Sequence, residues 1–232
     1  MKSLTGESIK IEGHTSGKEY AATNMFEGCT SLETFKSDLR SLVRGNVLLR
    51  NCTSLKTFNA DLSSLKSAPQ MFENCSSLEF FQNNLSSLVT GSNMFKGCAS
   101  LGSFTSDLRN LTSGIGMFYD CTSLTTFDSN LMNLTDGDNM FYNCTNLTSF
   151  TSNLNSLTKG SNMFSNCKLD TDSIKNILAT INVNKTDTSY TLTIGFGCES
   201  NATDKDLFAQ EVGIDFFLCS WYNVRVKNYQ FY

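Results

Sequence analysis

Nine cysteines and a single histidine are the residues that could carry chemistry in this chain of 232 residues. A Cys/His zinc site, a Ser/His pair or a Cys/His pair would each have to pass through His14. Zinc also asks for ligand pairs two to four residues apart, and no Cys-x-x-Cys occurs. A nucleophilic Ser or Thr needs a base beside it, and a reactive thiol needs an electropositive, partly exposed setting. Asp136-Gly137-Asp138 hints at calcium, but the further oxygen ligands and closing Glu of an EF-hand loop are missing, so these residues read as a turn. No phosphate-binding glycine motif is present. The expectation is a non-enzymatic protein with no catalytic residues, no cofactor and no metal.

Charge narrows the partners. Eighteen Lys+Arg stand against 22 Asp+Glu, a formal net charge of -4, so no overall basic charge is available to hold nucleic acid or an anionic membrane. The first residues, Met-Lys-Ser-Leu-Thr-Gly-Glu, lack the apolar stretch of a secretory signal, and nowhere do 18 apolar residues run together. A soluble chain without membrane insertion is expected.

The elements that position these residues come from an internal repeat. Cys29, Cys52, Cys75, Cys98, Cys121, Cys144 and Cys167 are spaced by 23 residues without a slip. Met-Phe stands four and three residues before the cysteine, as in Met71-Phe72, Met94-Phe95, Met117-Phe118, Met140-Phe141 and Met163-Phe164. Leu follows at three, Phe at six, Leu at ten and thirteen, and usually Gly at sixteen. Such a unit is too short to close a core alone, so the units must stack, laying Phe on Phe and Leu on Leu. Its short apolar groups, broken by Ser, Thr, Asn and Gly, do not sustain helical spacing. One short strand per coil is predicted, around Thr34 to Ser37, Ser103 to Ser106 and Thr126 to Ser129, with turns or brief 3-10 segments elsewhere.

These residues resemble a known family. Met-Phe-x-x-Cys followed by Cys-x-x-Leu-x-x-Phe at a period of 23 is similar to the BspA-like, or TpLRR-type, leucine-rich repeat of bacterial surface proteins, over roughly residues 24 to 167. The resemblance implies an α/β solenoid: a right-handed leucine-rich-repeat coil with a parallel sheet on one face and a role in binding macromolecules, often as an adhesin. An extracellular or cell-surface location follows from the same resemblance. The chain departs from the common form in keeping Ser-Asp-Leu or Asn-Leu after the strand, in having Pro69 as its only proline, and in carrying Leu48-Leu49 in place of Met-Phe in the second coil.

Within that arrangement the cysteines become core. Stacked neighbours would have Cβ atoms about 4.8 Å apart and parallel, outside the ~3.8 Å of a disulfide, so the seven are expected as free, buried thiols acting as small hydrophobes. Cys198 and Cys219 lie outside the ladder, and whether they pair stays open. Asn51, Asn74, Asn110, Asn133 and Asn143 begin glycosylation-like triplets, which recur because they belong to the unit.

Three regions result. Residues 1–23 form an N-terminal cap or degenerate first coil, with Ile9 in register with Leu32; 24–167 form the solenoid; 168–232 form a small α+β C-terminal cap. In the last, Asp170 or Thr171 can cap a helix bearing Ile174, Ile177, Leu178 and Ile181, Tyr190 to Phe196 alternate as a strand, Thr203 to Asp206 resembles a capping box, and Val224 and Val226 belong to a last strand.

Strand neighbours alternate faces, so the residues on either side of the inward Phe point outward. One candidate interaction column is Thr34, Thr57, Phe80, Ser103, Thr126 and Ser149; the other is Lys36, Asn59, Gln82, Thr105, Asp128 and Thr151. The leading expectation is a monomeric recognition protein that binds a protein or glycan on this surface. The rival is a structural module of a larger surface or phage-type fibre, docked through the C-terminal aromatics. Tyr119 and Tyr142 form a second aromatic pair on a different face.

Overall fold

The computed structural model of the chain describes residues 3–5, 20–181, 192–196 and 222–226. Chain order is β1 (Ser3–Thr5), β2 (Tyr20–Ala21), β3 (Thr34–Ser37), β4 (Leu42–Arg44), β5 (Thr57–Ala60), β6 (Phe80–Phe81), β7 (Ser103–Phe104), β8 (Thr126–Phe127), β9 (Ser149–Phe150), α1 (Thr171–Thr180), β10 (Leu192–Phe196) and β11 (Tyr222–Val226). Equivalent strands of successive coils pair in parallel at the repeat distance: Phe35 opposite Phe58, Phe81 opposite Phe104, Phe127 opposite Phe150. The result is a solenoid-like stack whose core is a set of columns, one per repeat position.

Two of those columns are aromatic. Phe35, Phe58, Phe81, Phe104, Phe127 and Phe150 stack with nearly parallel rings at 5.4–6.0 Å. Phe72, Phe95, Phe118, Phe141 and Phe164 do the same at 5.3–5.5 Å. Between the columns the rings meet edge to face, as Phe81 and Phe95 do at 4.8 Å, the other arrangement that the ring quadrupole favours. Leu49 replaces a Phe in the second coil, so the second stack starts only at Phe72. The Leu columns and the Met column from Met71 to Met163 are equally buried around them, while Met25 in the first regular coil is exposed.

Strand length differs from expectation. The segments expected over Ser103 to Ser106 and Thr126 to Ser129 shorten to Ser103–Phe104 and Thr126–Phe127. An Asx turn follows each of them, with Asp107 Oδ1 accepting from Arg109 N at 2.9 Å and Asn130 Oδ1 from Met132 N at 3.0 Å, and the same turn at Asp38 and Asp61 follows the four-residue β3 and β5. The single sheet expected is also corrected. This edge forms three small sheets, β1-β3-β5, β6-β7 and β8-β9, and the Phe stack continues across both interruptions.

A second parallel ladder, not foreseen, runs through Arg44, Ser67, Thr90, Ser113, Asp136 and Lys159 as isolated bridges. A third hydrogen-bonded face is built from the Met-Phe segment. Two residues in each coil, five before and one before the cysteine, have left-handed backbone, for example Asn139 (φ 56°) and Asn143 (φ 61°). Reversing φ there turns alternate N–H groups toward the next coil. Asn93, Phe95 and Gly97 donate to the carbonyls of Ile115, Met117 and Tyr119, each at 2.8 Å, while Met94, Lys96 and Cys98 close four-residue turns within their own coil. Asn, Asp and Gly tolerate this conformation, which is why the unit is rich in them.

The N-terminal coil has a different length. Leu4 pairs with Phe35, 31 residues on instead of 23, and β2 pairs with β4 through an irregular register. Ile9 lies outside the described residues. At the other end Asp170 Oδ1 accepts from Ser173 N at 2.8 Å and caps α1, with Ile177 and Ile181 buried and Ile174 packed against the core. β10 and β11 form an antiparallel pair covering most of the expected strands; Tyr190 and the capping box at Thr203 to Asp206 lie outside the described residues.

Candidate recognition surface

The Phe columns force the residues beside them outward. All twelve candidate residues are exposed or half-buried, while the Phe between each pair is buried. Thr34 pairs with Thr57, Lys36 with Asn59, Phe80 with Ser103, and Thr126 with Ser149. The surface is thus in three pieces. Thr34, Lys36, Thr57 and Asn59 sit on β3-β5; Phe80, Gln82, Ser103 and Thr105 lie on or directly after β6-β7; Thr126, Asp128, Ser149 and Thr151 do the same for β8-β9. No sheet pairing joins β5 to β6 or β7 to β8 among the described residues, though Asn83 Nδ2 bridges the first interruption to Ala60 O. Phe80 is 45% exposed, and the other exposed large apolar side chains (Met25, Val89, Ile115 and Met132) lie on other columns.

The coil carries two more faces with functional groups. On the second ladder Lys159 Nζ lies 3.2 Å from Asp136 Oδ2, and Asp138 Oδ1 accepts from Ser161 N at 2.7 Å; the Asp136-Gly137-Asp138 segment is therefore occupied with turn and inter-coil bonds. On the Met-Phe face, Tyr119 and Tyr142 stack at 4.7 Å, and Lys96 Nζ sits 5.1 Å from the Tyr119 ring centre, a contact that the sequence reading missed. Desolvation first, and then Asp120, raise the Tyr119 phenol above its ordinary pKa. Arg50 pairs with Glu27 one coil away on the same column.

The asparagines of the glycosylation-like triplets act between coils. Asn74 Nδ2 donates to Asn51 Oδ1 at 2.8 Å, Asn143 Nδ2 to Asp120 Oδ1 at 2.7 Å, and Asn110 and Asn133 to the carbonyls of Ser86 and Arg109 at 2.7 Å each.

The seven described cysteines are free. Six are buried, and each donates its S–H to a carbonyl 26 residues earlier, at 3.1–3.3 Å: Cys52 to Phe26, Cys75 to Leu49, Cys98 to Phe72, Cys121 to Phe95, Cys144 to Phe118 and Cys167 to Phe141. They are donors as well as fillers, a role that spacing alone did not disclose. Burial pushes the Cys52 thiol up to about 11 and raises Cys75, Cys98, Cys121 and Cys144 strongly. Cys29 is exposed, which corrects the expectation of seven equivalent buried thiols. It belongs to the first coil after the irregular one, where the stack below it is not a regular repeat. Cys198, Cys219 and His14 lie outside the described residues. Among the described residues no group of three or more His, Cys, Asp or Glu is placed to hold a metal ion, and no helix is long and apolar enough to cross a membrane.

Residues 7–124 and 68–193 match the family model described as the BspA type leucine rich repeat region, in six copies. Among solved structures the chain is similar to the Treponema pallidum leucine rich repeat protein TpLRR, with 23% identity and a TM-score of 0.51, over 67% of this chain and 73% of that one. A leucine rich cell surface protein from Faecalibacterium prausnitzii gives 21% identity and a TM-score of 0.46, over 57% and 38% of the two chains. A leucine-rich repeat protein from Bacteroides ovatus gives 24% and 0.37, over 63% and 51%. None of the curated proteins matches the chain.

Proposed function

The chain belongs to the BspA-type leucine-rich repeat family, and on that premise we propose that it is a non-enzymatic, adhesin-like recognition protein of the cell surface or extracellular space. A protein or glycan ligand binds on the outward face of the strands that carry the Phe column. The observation that carries this reading is the set of twelve outward side chains held in columns by a core of stacked rings. A scaffold of this kind holds its surface groups in fixed positions before any partner arrives, which lowers the ordering cost of binding. The coil is right-handed in this proposal, the chain works as a monomer, and neither nucleic acid nor a membrane is a partner.

Residues 168–232 close the stack in the same reading. Its support is α1, whose side chains take the place of a next strand: Ser173 Oγ accepts from Phe150 N at 2.8 Å, and Asn176 Nδ2 donates to Ser152 O at 3.1 Å. Such cover removes the free sheet edge that would otherwise template self-association.

The test is to replace Phe80, Gln82 and Asp128 together with Ala and to measure binding to intact cells and to matrix proteins. Loss of binding with the fold intact supports the strand face; unchanged binding rejects it.

A further inference from the structure

Phe80 stands alone on its face, and the residues around it define what could cover it. Its register partner across the sheet is Ser103; on the other side, across the β5/β6 interruption, the next column member is Thr57. Both are too small to cover a ring, and the ring stack beside it runs through the inward Phe58, Phe81 and Phe104. Two residues along each strand come Asn59, Gln82 and Thr105, all exposed. The six positions Thr57, Asn59, Phe80, Gln82, Ser103 and Thr105 carry no formal charge; Lys56 and Glu79 adjoin them along the chain, and Lys36 is the register partner of Asn59 at the rim.

We propose that this patch centred on Phe80 binds a neutral saccharide, with one pyranose ring laid on the Phe80 ring and its hydroxyls bonded by Gln82, Asn59 and the Ser103 and Thr105 hydroxyls. The inference rests on the recognition reading above and specifies its ligand. A pyranose offers polarised C–H bonds to the negative face of an aromatic ring and hydroxyls that both donate and accept. Amides and hydroxyls answer in kind, since each can do both. A protein partner is disfavoured by the same census. Protein interfaces centre on a cluster of apolar and aromatic side chains that is fully desolvated, whereas the neighbours of this ring on its face are all polar. The open, flat geometry predicts weak binding, with a dissociation constant on the order of 1 mM for a single oligosaccharide.

The experiment uses the full chain and three neutral oligosaccharides (cellohexaose, maltohexaose and chitohexaose), with heparin as a polyanionic comparison. Binding is followed by saturation-transfer NMR and by retardation in gels cast with the matching soluble polysaccharide. The proposal expects binding of at least one neutral sugar, unchanged between low and high salt, weakened at least about tenfold in Phe80→Ala, and retained in Phe80→Tyr and in Met132→Ala. Failure of all three sugars to bind, binding that Phe80→Ala leaves intact, or preference for heparin with strong salt dependence would each overturn it. Intact-cell binding separates the two levels. If the triple variant loses cell binding but no neutral sugar binds or competes, the saccharide assignment falls and the recognition face stands; if the triple variant still binds cells, the face itself is wrong.

Discussion

The Cys98 thiol donates a hydrogen bond of 3.1 Å to the carbonyl of Phe72, and that carbonyl also accepts the Cys75 amide at 3.0 Å. One oxygen therefore closes a turn in its own coil and ties it to the next, and the same arrangement recurs from Phe26 to Phe141. Replacing Cys98 with Ala removes a buried donor and leaves a small void. The expected loss is about 1–3 kcal/mol, read as a lower urea midpoint, and Cys98→Ser, which keeps a donor, should lose less. A midpoint unchanged in Cys98→Ala would show that the thiol is mere filling.

Alkaline pH should unfold this protein. Cys52, Cys75, Cys98, Cys121 and Cys144 all have raised folded-state pKa values, so the unfolded chain releases protons first. Their contribution is fully present below the unfolded thiol pKa, about 8.5, and is lost as pH rises toward the folded values. Each thiol adds up to roughly a tenfold fall in the folding constant per pH unit over that interval. Urea midpoints measured from pH 7 to pH 10 should stay level and then drop steeply; a flat profile would contradict the burial of the ladder.

Thiol reactivity should be divided along the chain. Cys29 should react quickly in the folded protein, and the buried cysteines from Cys52 to Cys167 only after denaturation. Labelling with a maleimide followed by peptide mass analysis reads each site separately, and rapid labelling of Cys98 or Cys121 under native conditions is the contrary result.

Among the described residues Val47 is the one β-branched residue at a left-handed position, with φ 59°, where other coils place Asn24, Gln70, Asn93, Gly116, Asn139 and Asn162. Side chains branched at Cβ pay for that conformation. Val47→Asn should stabilise the protein by about 1 kcal/mol, measured by thermal or urea unfolding; destabilisation would mean that the apolar contacts of Val47 outweigh its backbone strain.

The closing role of α1 is tested at Ser173. Ser173→Ala strands the buried Phe150 amide, now bonded to Ser173 Oγ at 2.8 Å, at an expected loss of about 1–3 kcal/mol. Hydrogen exchange at Phe150 should accelerate before exchange in the central coils. Exchange at Phe150 no faster than in the parent would remove α1 from that role.

Much of the architecture was legible because stacking obeys an equality. Residues 23 apart must occupy equivalent places, so the spacing of Cys29 to Cys167 gave the coil, the parallel Phe35 to Phe58 register and the outward columns beside it. The family likeness could be read from the same letters. The repeat says which residues are equivalent, but not where in the cross-section each lies. The second ladder through Thr90 and Ser113, the interruptions beside Phe80, and the 31-residue step from Leu4 to Phe35 depend on how each turn closes.

The sequence by itself determined the period, the buried identity of the Phe and Leu columns and of the Met column from Met71 on, and the scarcity of groups able to do chemistry. Only the tertiary structure decided that each buried thiol meets a carbonyl 26 residues back. That pairing arises because left-handed residues such as Asn93 and Gly97 rotate alternate peptide units toward the adjacent coil, a choice made by backbone geometry in three dimensions and invisible in spacing alone.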